Sequence, residues 1–385
     1  MTTEGKTIYN LGMKKVQILS LHLGFGGIEK AVCSLANMLV DRYDVEIISV
    51  YKLLAEPAFY LDGRVKVTYL TEGLKPNEAE FRAALKKANL TKVLSEGFKS
   101  AKILFYKKYR TIRAIKNSDA DVMISSRYFF NDLIGKYAKA GVKKIGWEHN
   151  HWEVVKGQHD EVVKSAENLD WLVSCSKQIN EHYSKYVKCK TTSIGNVIDD
   201  VPDAYSNLNN RNCIAVGSLI ERKGFLDLVE IFNEVCKKDD SWHLDLFGDG
   251  EQKQQIIDKI SNYGLEKNIT VHGFQKKEVI NQYLHNASVY TMTSRSEALP
   301  IVLLEAVSFG LPCLAFECPG TDEVIDEGEN GYIIPGRDIN RYSEALLKVM
   351  HDDELRHRLG AHSVDVSKRY GFEVIRQQWI NVIEN

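Results

Sequence analysis

The chain has 385 residues, about twice an ordinary domain, so two α/β domains are expected rather than one. Hydrophobic residues make up 44% and charged residues 26%, with seven prolines and no low-complexity run, which excludes a disordered or fibrous chain. The net charge of −2 hides a local asymmetry: from Arg82 to Lys116 there are eleven Lys or Arg residues and one acid, Glu96.

Seven cysteines, at 33, 175, 189, 213, 236, 313 and 318, form no C-x-x-C pair and no metal-ligand spacing with histidine, so a reduced protein is expected. Met1 to Met13 is polar, and no apolar stretch reaches the roughly 18 to 20 residues that span a bilayer. The expectation is a cytoplasmic chain, neither secreted nor membrane-spanning.

Apolar runs of strand length alternate with amphipathic helical stretches, the pattern of parallel sheets covered by helices on both faces. Strands are expected at Val16–Leu21, Val45–Tyr51, Val65–Leu70, Val122–Ser126, Lys144–Glu148 and Trp171–Ser174. After the first comes Gly24-Phe25-Gly26-Gly27 and then the helix-like Ile28–Leu39. Glycines there let the backbone approach a ligand with the free N–H groups of a helix start, although a plain strand-to-helix turn reads the same way. The spacing is not G-x-G-x-x-G, so no dinucleotide fingerprint is met.

The basic stretch from 81 to 116 mixes its cations with leucines and aromatics, as in a pair of basic amphipathic helices. Such a pair either lies on an anionic membrane surface or packs its apolar side on the first domain. No recognition motif accompanies the charge, so nucleic acid is not an expected partner. Asp119-Ala120-Asp121 matches a D-x-D string but precedes a strand, at the wrong end of a parallel sheet for ligand chemistry, so no metal is assigned. Gly146-Trp147-Glu148-His149-Asn150-His151 ends a strand at the right end.

From Asn196 to Asn212 an Asn- and Asp-rich stretch reads as a linker, after which strands are expected at Cys213–Val216, His243–Phe247, Ile269–Val271, Ser288–Met292 and Pro312–Phe316. Gly217 to Gly224 follows the first of these and precedes a helix near Phe225, placing Arg222 and Lys223 beside a helix N-terminus. That pairing suits a diphosphate: Arg222 can grip two oxygens with its planar fork, and Lys223 adds a mobile point charge. In Ser294 to Ala306, Glu297 falls in a loop and Glu305 in the following helix, with seven mostly apolar residues between. A carboxylate on a buried helix face needs a polar partner, and sugar hydroxyls would provide one, although Glu305 alone reads equally as a surface or salt-bridged glutamate. Phe372 to Glu384 carries the apolar spacing of one more helix.

The Glu297-x7-Glu305 segment resembles the E-x7-E motif of glycosyltransferase family 4, retaining enzymes of GT-B architecture: two Rossmann-like, doubly wound α/β domains facing a central cleft. The resemblance covers nearly the whole chain. It takes in Gly26-Gly27, Gly195-Asn196-Val197-Ile198-Asp199, Arg222-Lys223-Gly224, Phe247-Gly248-Asp249-Gly250 and His272-Gly273-Phe274. It implies an N-terminal acceptor-binding domain at 1–196, a nucleotide-sugar domain at 197–371, and a helix at 372–385 packing back on the first domain.

Carried over by residue, the resemblance implies that Arg222 and Lys223 hold the donor diphosphate and Glu305 the ribose. Glu297 would face the transferred sugar, and backbone near Phe274 would receive the nucleobase. Gly26, Gly27 and Gly217, with the backbone at Ala298, Leu299 and Ile301, would line the donor site. His149 would face the donor sugar, with His151 and Glu148 as alternatives. Ala298 and Pro300 stand where glycines are frequent, and Pro300 has no N–H to donate.

The implied reaction is transfer of a hexose or N-acetylhexosamine from a UDP-sugar, without a metal, to a glycan or a polyprenyl-diphosphate-linked saccharide. The implied place is the cytoplasm, at the inner face of the cell membrane if the membrane reading of the basic stretch holds. A nucleotide-sugar epimerase of the same architecture and a non-catalytic glycan-binding partner are the competing readings. A nicotinamide-dependent oxidoreductase stands further off, lacking both the glycine spacing and the acid at the next strand's end.

Overall fold

The computed structural model describes residues 12–385, apart from 88, 153–156 and 200. Seven strands form the first sheet: β1 (Lys15–Ser20), β2 (Asp44–Tyr51), β3 (Lys66–Thr71), β4 (Val122–Ser125), β5 (Lys143–Glu148), β6 (Trp171–Ser174) and β7 (Lys190–Ser193). Six form the second: β8 (Asn212–Val216), β9 (His243–Phe247), β10 (Ile269–Gly273), β11 (Val289–Met292), β12 (Cys313–Phe316) and β13 (Gly331–Ile334). The strand orders are β3-β2-β1-β4-β5-β6-β7 and β10-β9-β8-β11-β12-β13, and every pairing is parallel. Both orders reverse direction beside the first strand of the sheet, the doubly wound arrangement that opens a ligand crevice at the strands' carboxyl ends.

The helices of the first lobe are α1 (Gly27–Leu39), α2 (Glu78–Lys86), α3 (Leu90–Asn117), α4 (Tyr128–Tyr137), α5 (His159–Ser165) and α6 (Lys177–Tyr183). The second half adds α7 (Phe225–Cys236), α8 (Lys253–Tyr263), α9 (Lys277–Asn286), α10 (Ile301–Ser308), α11 (Ile339–His351), α12 (Asp353–Lys368) and α13 (Phe372–Glu384). The eleven strands expected from the sequence all form, shifted by a residue or two at their ends. Two edge strands, β7 and β13, were not expected: β7 reads Lys-Thr-Thr-Ser, without an apolar run, and β13 has four residues.

Central strands are buried on both faces, as helices on each side require: β1, β2 and β4 are closed to solvent over nearly their whole length. The chain crosses between the lobes near residue 195 and again near 370. The two crossings touch, for Ile198 donates its backbone N–H to the Tyr370 carbonyl at 2.9 Å. Beyond the second crossing α13 lies against α1, and the Trp379 ring meets Trp147 of β5 edge-on at 4.8 Å.

Candidate active site

On the wall formed by the second sheet, two loops clasp each other. Glu221, Arg222 and Lys223 make one 3-10 turn after β8, closed by Gly224 at φ 66°. A Cβ there would lie 2.2 Å from the Thr293 carbonyl oxygen, so only glycine lets this turn press against the loop after β11. Across the contact, Arg295 donates its N–H to the Arg222 carbonyl at 2.8 Å and the Thr293 hydroxyl donates to the Lys223 carbonyl at 3.2 Å.

Arg337 holds the same loop from below. It donates to the carbonyls of Thr293 at 3.0 Å and Ser294 at 3.2 Å and pairs with Asp227. Sequence reasoning missed Arg337 and Asp227, which are 110 residues apart and share no motif.

The clasp fixes a cluster of charge. Lys223 Nζ lies 2.6 Å from Glu297 Oε1, Arg222 Nη1 lies 3.2 Å from Oε2, and Arg222 also donates to the Ser296 carbonyl at 2.6 Å. Burial would raise the Glu297 carboxyl, but Lys223 and Arg222 outweigh it and hold the group below its ordinary range. Glu297 is therefore a carboxylate that neutralises part of the two cations. The cluster keeps one net positive charge.

Two helix starts add to that charge. Ile301 and Val302 of α10 and Gly27 and Ile28 of α1 line one cleft of about 420 Å³ together with Arg222 and Lys223. First-turn N–H groups lack a partner within their own helix and favour an anion. Pro300, which supplies no N–H, stands just before α10, where its carbonyl accepts from Leu303 at 2.9 Å. Gly26 answers to a different need. A Cβ there would come 2.1 Å from the Glu29 carboxylate, which is buried and paired with Arg127 at 2.9 Å. A hypothetical Cβ on Gly27 would be 3.8 Å from Ile301 of the other lobe, so the cleft narrows at that point.

The opposite wall is the loop after β5. Glu148 is 3% exposed, and its Oε1 accepts from the backbone N–H groups of His149 at 3.0 Å and Asn150 at 2.8 Å. It shapes the loop, and its burial pushes its own carboxyl upward. His149 lines the cleft with its ring 4.2 Å from Trp147. Its Nε2 is buried without a hydrogen-bond partner, and burial followed by the Arg127 charge lowers the imidazole to about 3. At neutral pH it is an uncharged ring that lines the cleft and keeps one buried nitrogen without a hydrogen-bond partner. His151 lines the cleft too, its ring 3.7 Å from Trp152.

Ala298 and Leu299 also line this cleft, and Gly217 sits at its edge. Gly248, at φ 140°, crosses Gly217 so closely that a Cβ would lie 1.8 Å from the Gly217 carbonyl oxygen. Glu305 lies in an adjoining small cavity and forms an ion pair with Lys30 of α1. The polar partner that its half-buried helix face requires is thus an ammonium from the other lobe. Phe274 is 59% exposed and meets Phe25 of the glycine-rich loop edge-on at 5.3 Å. Asp119 and Asp121 lie far from all of this, both engaged with Lys15 at the start of β1, through its side chain at 2.5 Å and its backbone N–H at 2.8 Å.

Residues 202–363 match the family model for glycosyl transferases group 1. The chain carries the group 1 domain over a little under half of its length. The chain is 32% identical over 189 residues to the amylovoran biosynthesis glycosyltransferase AmsD of Erwinia amylovora, covering 49% of the chain and 52% of that protein. It is 25% identical over 381 residues to an exopolysaccharide phosphotransferase of Streptomyces coelicolor; the match covers 95% of the chain but spans only 40% of that protein's length. Among solved structures it is similar to a S. aureus TarM variant in complex with fondaparinux, alpha-GlcNAc-glycerol and UDP. That likeness has a TM-score of 0.77 at 15% identity and covers 97% of this chain and 100% of the other. The architecture is GT-B, with the cleft between its two α/β lobes.

Proposed function

We propose that this glycosyltransferase moves a hexose or N-acetylhexosamine from a UDP-sugar, with retention of configuration, to a glycan or a polyprenyl-diphosphate-linked saccharide in surface polysaccharide synthesis. One observation carries the reading. The Arg222, Lys223 and Glu297 cluster and the starts of α1 and α10 converge on a cleft whose other wall carries a neutral His149. The named relatives in exopolysaccharide and amylovoran synthesis, and the UDP bound in the TarM structure, support the substrate classes.

In this reading Lys223 and Arg222 take the charge that develops on the departing diphosphate, and the helix starts complete the cradle. Their positive charge takes the place of a metal. Glu297 keeps Lys223 in place until the phosphates arrive and then faces the sugar. The His149 imidazole hydrogen-bonds a sugar hydroxyl, fixing the sugar so that the acceptor oxygen enters on the face the diphosphate leaves. Residues 1–196 bind the acceptor and residues 197–371 the nucleotide, with Glu305 exchanging Lys30 for the ribose hydroxyls and the base near Phe274.

The test is thermal unfolding against a panel of nucleoside diphosphates and UDP-sugars, followed by product analysis with and without an oligosaccharide acceptor. A nucleotide at a hundred times its dissociation constant adds about 2.7 kcal/mol of stability. UDP is expected to raise the midpoint of the native protein and not of Arg222→Ala/Lys223→Ala, with an anomer-retained product. A panel that moves no midpoint sinks the reading, as does an epimerised sugar formed without acceptor.

A further inference from the structure

The cations between Arg82 and Lys116 left two readings open, a face packed on the first lobe or a surface for a membrane, and the side chains decide between them. In α3, positions 90, 94, 98, 105 and 109 share one helical stripe, and Leu90, Leu94, Phe98, Phe105 and Tyr109 on it are all exposed, from 52% to 79%. Leu104 beside the stripe and Leu85 on α2 are exposed as well.

The packed face of α3 is a different one. Ile103, Thr111 and Ile115 are buried, Arg110 donates to the Leu70 carbonyl at 2.6 Å, and Lys107 covers the Phe129 ring at 3.9 Å. Toward its N-terminus α3 packs on α2 through Gly97 against Phe81 and through Asn77, which donates to Glu96 at 2.7 Å. Burying this hairpin against its own lobe therefore leaves the apolar stripe in water.

Charge selects the occupant. Nine of the eleven cations in this segment are exposed, while its one acid, Glu96, is engaged by Asn77 and lies 3.6 Å from Lys99. Two copies meeting through this face would set like charges against each other. A surface that is anionic outside and apolar beneath satisfies both features at once.

We infer that the α2–α3 hairpin docks on an anionic lipid surface, with α3 lying in the plane of the headgroups. Phe98 and Phe105 enter the acyl boundary, and Lys99, Lys102 and Lys108 meet lipid phosphates. The 28 residues of α3 give a contact line of about 42 Å. The first lobe, which supplies His149 to the cleft, is thereby held at the membrane. This inference stands independently of the donor and the acceptor.

Flotation of the full chain with phosphatidylcholine vesicles, alone or mixed with phosphatidylglycerol, tests it. The protein is expected to float with the anionic vesicles at low salt and not with the neutral ones. Lys99→Gln/Lys102→Gln should lower partitioning about 30-fold, taking about 1 kcal/mol for each cation near the surface. Phe98→Asp/Phe105→Asp should abolish it, and both variants should keep the native melting midpoint because the four side chains are exposed. Protein that stays in the soluble fraction with both vesicles overturns the inference. So does equal flotation of the aspartate variant, or a doubled sedimentation mass without vesicle binding.

Discussion

At the residue scale, hydrogen bonds set Glu148 apart from His149 at the end of β5. Glu148 spends its carboxylate on the N–H groups of its own loop, while the His149 ring lines the cleft with a buried Nε2 that has no hydrogen-bond partner. Its imidazole falls from the ordinary 6.5 to about 3, first by burial and then through Arg127. A histidine depressed in the folded state contributes full stability above its unfolded value and loses it as pH falls toward the folded value.

The native protein should therefore lose about 1.4 kcal/mol more per pH unit below 6.5 than His149→Gln, down to pH 3. Urea unfolding of both proteins from pH 7 to pH 4.5 measures the difference, and parallel curves would place His149 in solvent. The string from Gly146 to His151 was legible in sequence as a strand end with polar residues. The charge state of His149 was not, because that depends on its burial beside Trp147 and on Arg127, 22 positions away in the chain.

At the element scale, the turn from β8 to α7 depends on Gly224. Its left-handed backbone and its contact with the Thr293 carbonyl together make any side chain costly. Gly224→Ala is expected to destabilise the protein by about 1–3 kcal/mol or more and to weaken nucleotide binding, because Arg222 and Lys223 hang from the same turn. Chemical denaturation gives the first quantity and a nucleotide titration the second. A variant that loses stability but keeps native affinity would detach the turn from the site.

The strands, the glycine turns and the helix starts were legible because two sheets buried on both faces demand apolar runs with breaks at fixed places. The edge strands were not, since β7 and β13 face solvent enough to tolerate polar or short sequences. The clasp by Arg337 and Asp227 left no periodic or local trace. Nor did the pairing of Lys30 with Glu305, 275 residues apart, and so the sequence left a salt bridge and sugar hydroxyls both open for Glu305 without naming its ammonium.

At the scale of the whole molecule, the last helix ties the chain's end to its beginning. Trp379 is fully buried against Trp147, Lys143 donates to the Ile383 carbonyl at 3.0 Å, and the Tyr43 hydroxyl donates to Glu384 at 2.7 Å. The cluster of Arg222, Lys223 and Glu297 pairs with none of these groups. Trp379→Ala should accordingly cost about 3–5 kcal/mol, and the loss should fall on the first lobe.

The five tryptophans make this readable. Trp147, Trp152, Trp171 and Trp379 belong to the first lobe or its capping helix, and Trp242 sits in the core of the second sheet. In the variant, urea should shift the fluorescence of the first-lobe tryptophans at lower concentration and leave a later transition carried by Trp242, one that added UDP moves upward. A single transition with UDP stabilisation lost would mean that the lobes fold as one unit and that α13 supports the nucleotide wall through the paired crossings at Ile198 and Tyr370.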